Sequence, residues 1–87
     1  MPTVFIPALL RPLIPSPRVS VNGRTIGQII DELEASYPGV RHLLVDDEDE
    51  ITAGIAVSIN DQISQRGLFD TVPENAEVHF LPAISGG

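Results

Sequence analysis

The sequence predicts an α+β roll, a mixed four- or five-stranded sheet crossed on one face by a single main helix. Three observations lead there. One segment carries apolar residues at helical spacing behind a capping signal, and several short segments alternate apolar and polar residues with period two. The third is length: 87 residues hold one such pair of layers and not two domains. On the order of 60% of the extended chain's surface is buried at this size, enough for one modest core.

Residues 3–9, TVFIPAL, set Val4, Ile6 and Ala8 against Thr3, Phe5 and Pro7, as in a strand with one face inward. Pro7 has no amide hydrogen, so its N–H side faces no hydrogen-bonding neighbour unless the strand bulges there. Prolines at 12, 15 and 17 predict a stiff, extended loop. Arg18 to Val21 reads as a short strand with Val19 and Val21 inward, ended by Asn22-Gly23, a pair suited to positive φ.

Thr25 followed by Gln28 is a capping-box pattern. Ile26, Ile29, Ile30, Leu33 and Tyr37 then recur at helical spacing to position 37, where Pro38-Gly39 stops the helix. Tyr37 is expected to seat the helix end on the sheet. Val40 to Val45 is expected to form one short helical turn that packs Leu43 and Leu44. Asp46 to Glu50, DDEDE, lacks the spaced ligands and the glycine of a calcium loop, so it is expected to be a solvated, self-repelling and mobile loop.

Ile55, Val57 and Ile59 alternate with Ala56 and Ser58 as a strand, and Asn60-Asp61 is a natural turn back into a short edge strand within 62–65. Residues 76–83 form the last strand, with Val78 and Phe80 inward and Glu77, His79 and Leu81 outward. The helix has one apolar stripe and covers one sheet face. The other face must meet solvent or a partner. The predicted inward set is Val4, Ile6, Val19, Val21, Ile26, Ile29, Ile30, Leu33, Ile55, Val57, Ile59, Val78 and Phe80.

Composition narrows the chemistry. The absence of cysteine removes disulfides, thiolate metal sites and cysteine nucleophiles. The absence of lysine leaves the α-amino group as the only amine. Twelve acids against five arginines give a net charge of −7, which repels nucleic acid and anionic lipid and attracts a basic protein cleft. The longest apolar run, Val4 to Leu10, is far below a membrane span or an export signal, so a cytoplasmic protein is expected. His42 and His79 make no triad or metal site by themselves and read as ordinary surface or boundary histidines. The acidic run has nothing beside it that would raise a carboxyl pKa for acid catalysis.

That leaves the C-terminus, where residues 84–87 are expected to be a flexible tail on a domain of residues 1–83. Two final glycines arise by composition alone in roughly one chain in two hundred. Here they follow a strand and Pro82-Ala83-Ile84-Ser85, so Gly86 and Gly87 make a thin end without Cβ atoms that fits a narrow channel. The reactive group is the Gly87 carboxylate, a poor acyl donor until a partner phosphorylates or adenylates it. Such a protein is a co-substrate and not an enzyme.

The opening strand TVFIPALLRP, the helix TIGQIIDELEASYPGV, the strand and turn IAVSIND and the ending EVHFLPAISGG resemble the MoaD/ThiS family of ubiquitin-like sulfur carriers over nearly the whole chain. The IPALLRP opening and the AISGG ending are most similar to the CysO-like carriers. The resemblance implies a β-grasp fold and an E1-like activating enzyme that uses ATP to adenylate Gly87, with no cofactor bound permanently to the carrier. It also implies a C-terminal thiocarboxylate that donates sulfur for cysteine biosynthesis to a cysteine synthase-like acceptor. The alternatives are the small subunit of molybdopterin synthase, acting with the large subunit, and a ubiquitin-like modifier joined through Gly87 to lysines. A third class, a structural binding partner, needs no reactive terminus.

Carried onto this sequence, the family's partner-binding surface comprises the tail, with Ser85 and Gly86 giving access to Gly87, and an apolar patch of Phe5, Pro7, Ile63 and Leu81. The alternation independently leaves these four outside the core. Two departures from the family stand out. The acidic stretch between Val45 and Ile51 is lengthened, and Pro7 stands where members often place a larger apolar side chain, which is expected to shrink the patch.

Overall fold

A computed structural model describes residues 1–83. The elements in chain order are β1 (Thr3–Phe5), β2 (Arg18–Ser20), α1 (Ile26–Ser36), α2 (Val40–Leu44), β3 (Ile55–Ile59), β4 (Gln62–Ile63) and β5 (Glu77–Pro82). Single 3-10 turns lie at Ala8–Leu10 and Gly67–Phe69. The five strands form one sheet in the order β2-β1-β5-β3-β4. β1 and β5 run parallel at its centre and every other neighbour is antiparallel. This is the β-grasp arrangement, and β5, the strand that leads to the tail, is paired on both sides.

The capping box forms, with a shift. The Gln28 N–H donates to the Thr25 hydroxyl at 3.2 Å, and the Gln28 side chain accepts from the N–H of Arg24, one residue before the cap, at 2.8 Å. Ile26, Ile29, Ile30 and Leu33 are fully buried in one cluster with Val4, Val57, Val78 and Phe80, so the helix stripe and the inner sheet face make the core together. Tyr37 is half-buried against that cluster. Val19, Ile55 and Ile59 pack on its rim and are not fully enclosed. Gly23 takes φ +155°, and a Cβ there would stand 2.7 Å from Ile29, so the chain passes the helix where only glycine fits.

Three expectations change. The opening strand stops at Phe5 instead of continuing through residue 9, because Pro7 cannot donate to the sheet and becomes the extended residue that starts the 3-10 turn. Ala8 is consequently exposed and not inward. The proline segment is likewise no plain extended loop. The N–H of Ile14 bonds to the Leu10 carbonyl at 2.8 Å, which places this i, i+4 pair side by side, and both side chains are fully buried. The spacing was masked by the prolines at 12 and 15.

The acidic run is a closed turn. An isolated bridge joins Val45 to Ile51, the Asp46 N–H donates to the Glu50 carbonyl at 2.8 Å, and the Asp46 carboxylate accepts from the N–H groups of Glu48 (2.8 Å) and Glu50 (3.1 Å). Arg41 reaches Asp31 at 2.9 Å and Asp49 at 3.3 Å, tying the turn to α1. Backbone donors and one guanidinium offset the self-repulsion of the run. A second polar device is Glu34 on α1. Its carboxylate accepts from the N–H groups of Arg41 (2.8 Å) and Gly39 (3.1 Å) and caps α2, whose own cap residue, Gly39, has no side chain to do so.

Candidate functional site

The outer sheet face is built by the register. Phe5 pairs with Arg18 on one side and His79 on the other, His79 pairs with Ser58, and Ser58 pairs with Ile63. Because successive residues of a strand point to opposite faces, the row Arg18, Phe5, His79, Ser58, Ile63 lies across the surface that α1 leaves bare. The Phe5 and His79 rings stack with centroids 4.3 Å apart and planes within 4°. Ser58 is the only buried polar side chain among the described residues, at 5% exposure, and it sits between His79 and Ile63.

One step along β5 on the same face stands Leu81, 38% exposed. With Pro7, Leu9 and Pro82 it borders an apolar cleft of about 430 Å³ at the end of the sheet, whose inner wall is formed by Phe80, Ile55 and the buried Leu44 of α2. Leu9 is 47% exposed while its neighbour Leu10 is fully buried, so the 3-10 turn divides the Leu-Leu pair between cleft and core. The Ala83 N–H donates to the Gly54 carbonyl at 2.8 Å, which extends the pairing of β5 one residue beyond the strand. The central strand therefore delivers the chain to the mouth of this cleft at residue 83.

Of the residues expected to bind a partner, Pro7 and Leu81 share the cleft, and Phe5 lies beside them under His79. Ile63, 57% exposed, belongs to the same face but stands three strands from Phe5, roughly 14 Å at the usual strand spacing. The four make a band and not a compact cluster. Ser85, Gly86 and Gly87 lie outside the described residues. The sequence alone marks His79 as an ordinary surface or boundary histidine and Leu9 as the end of a strand. The outward alternation of Glu77, His79 and Leu81 was the available signal for the first, but its pairing with Phe5 required the register.

No group of three His, Asp or Glu side chains able to hold a metal ion exists among the described residues, and no helix there is long and apolar enough to cross a membrane. His42 is exposed on α2, on the helix layer, and His79 is on the opposite sheet face.

A five-stranded mixed sheet with one helix across one face and the last strand at its centre defines a ubiquitin-like protein of the β-grasp fold. The ThiS family model matches residues 4–87, and the chain belongs to that family. It is 33% identical over 90 residues to the sulfur carrier protein CysO of Mycobacterium tuberculosis, covering 98% of this chain and 97% of that one. The crystal structure of that CysO superposes with a TM-score of 0.88 at 31% identity, covering 97% of this chain and all of the other. CysO in the BexX/CysO complex of Amycolatopsis orientalis gives a TM-score of 0.89 at 32% identity, with both chains covered in full.

Proposed function

We propose that this protein is a sulfur carrier. A partner enzyme uses ATP to adenylate the Gly87 carboxylate, a sulfur nucleophile displaces AMP, and the resulting thiocarboxylate donates its sulfur for cysteine biosynthesis. The observation that carries this reading is end-to-end similarity to a named sulfur carrier on a fold whose last strand is held in the centre of the sheet. A central strand paired on both sides gives the tail a fixed root, so a partner that grips the outer face also positions the terminal carboxylate. Phe5, Pro7, Leu81 and Ile63 form the gripping band, with Ser85 and Gly86 allowing passage into a narrow channel.

The protein itself supplies no catalytic group in this scheme. The carboxylate attacks the α-phosphorus of ATP with loss of pyrophosphate, and the energy of the acyl-adenylate drives the exchange of oxygen for sulfur. The partners are an E1-like adenylating enzyme and a cysteine synthase-like acceptor, both meeting the same negative surface. The existence of a BexX/CysO complex supports the view that carriers of this kind dock on a partner protein.

The test is intact mass. Incubation with the adenylating enzyme, ATP and a sulfur donor should raise the mass by the difference between one sulfur and one oxygen, and addition of the cysteine synthase-like acceptor with its activated amino acid should reverse it. Growth by the mass of a whole protein would favour a modifier. Sulfur loss only to the large subunit of molybdopterin synthase would move the assignment to that pathway.

A further inference from the structure

The helix side of the molecule carries a second apolar feature that the carrier reading does not use. Phe69 is 82% exposed, the most exposed large apolar side chain among the described residues, and it is mounted on a firm support. The Ser64 hydroxyl donates to the Asp70 carboxylate at 2.6 Å and accepts from the Gly67 N–H at 3.2 Å, and Gly67 takes φ +57° to close the turn. The turn is pinned to the start of α1 by the Ile26 N–H, which donates to the Asp70 carbonyl at 3.1 Å. This geometry packs Leu68, half-buried, against the core and turns Phe69 outward. Beside the ring lies a cleft of about 250 Å³, floored by Ile51 and Leu68 and rimmed by Asp49, Glu50 and Arg66.

We propose that Phe69 and this cleft form a second docking surface, for a protein that offers an apolar pocket rimmed by arginine or lysine. An aromatic side chain has only two side-chain torsions to fix on binding, so on a hydrogen-bonded turn it serves as an anchor. Charge selects the occupant. The rim adjoins the five exposed acids of Asp46 to Glu50, so a second copy of a chain with net charge −7 is repelled, as is an anionic lipid surface, and a basic protein is drawn in. Because the turn packs on α1 and not on the outer sheet face, a partner confined to that face leaves Phe69 uncovered. A carrier so built can be held by two proteins at once, one at each side.

The identity of the partners rests on the carrier reading, and the experiment separates the two. Dissociation constants are measured by calorimetry for the purified adenylating enzyme and the purified cysteine synthase-like acceptor, using wild type, Phe69→Ser, Leu81→Glu and the double variant. Phe69→Ser should weaken binding to at least one of the enzymes by about tenfold or more with the melting temperature retained. For an enzyme that loses affinity in both single variants the two losses should multiply, since Leu81 and Phe69 line clefts with no residue in common; losses divided between the enzymes mean one protein at each side. Glu48→Gln with Glu50→Gln should slow association to that same enzyme and flatten its salt dependence. Wild-type affinity of Phe69→Ser for both enzymes, while wild type is adenylated normally, would overturn this inference alone. Dimerisation of wild type abolished by Phe69→Ser, or binding to phosphatidylglycerol vesicles that needs Phe69, would also overturn it. If wild type is not adenylated, the carrier reading falls and this inference falls with it.

Discussion

Leu81 offers the clearest way to separate packing from electrostatics on the outer sheet face. It is 38% exposed, so most of its side chain is already covered by the fold and a partner can bury only the remainder. Full burial of a leucine is worth about 2 kcal/mol, and the uncovered part therefore corresponds to roughly 0.8 kcal/mol, or about a fourfold change in affinity for Leu81→Ala. Leu81→Glu differs in kind. It leaves the same contact unmade and forces an unpaired carboxylate into a closing apolar cleft beside Pro7 and Leu9, at a cost of about 2 to 5 kcal/mol. Neither variant should unfold the protein, because the side chain faces away from the core. Calorimetric titration of the adenylating enzyme with both variants should show a mild loss for alanine and a loss of about thirtyfold or more for glutamate. Equal losses would mean that Leu81 supports the strand and not the contact, and wild-type affinity for Leu81→Glu would remove the outer face from the interface.

Other outcomes follow from the same geometry. Leu33→Ala empties a fully buried site under the sheet and should cost about 2 to 4 kcal/mol, a large share of the stability of so small a domain, read as a lower denaturation midpoint. Deleting Gly87 or adding one residue after it moves the terminal carboxylate by up to about 3.5 Å, as much as the reacting atoms are apart, so pyrophosphate release should fall by about a hundredfold while melting is unchanged. Normal adenylation of a chain lacking Gly87 would sink the carrier reading. The Glu34 carboxyl is held below its ordinary value of 4.5 by the N–H groups of Arg41 and then Gly39. A lowered folded-state pKa means that its contribution to stability is present above the ordinary value and is lost as pH falls through the folded value. The stability gap between wild type and Glu34→Gln should therefore be full above the ordinary carboxylate value and narrow as pH falls below it in denaturant titrations, and a gap independent of pH would refute the cap.

Much of this protein was legible in its sequence where the signal was local. Period-two alternation placed β3 at residues 55–59, the Thr25 and Gln28 pair with its isoleucine stripe placed α1, and alternation along β5 put Val78 and Phe80 inside and His79 and Leu81 outside. Both patterns need only the geometry of one element and the preference of apolar side chains for the covered face. The MoaD/ThiS resemblance and the Gly-Gly ending were likewise present in the residues themselves. The tertiary structure decided which side chains from different elements meet. Alternation says which face Phe5, His79, Ser58 and Ile63 share, but only the register, set by pairing across up to seventy-four residues between Phe5 and His79, puts the first two rings in contact. The Leu10 and Ile14 pair went inward because a proline ended β1 and turned the chain, and Glu34 became a cap because α2 begins at a glycine with no side chain of its own. Phe69 points outward for the same kind of reason. Its neighbour Leu68 fills the space over Ile51 and α1, and the hydrogen bonds of Ser64 and Asp70 hold the turn so that only one of the two can be inside.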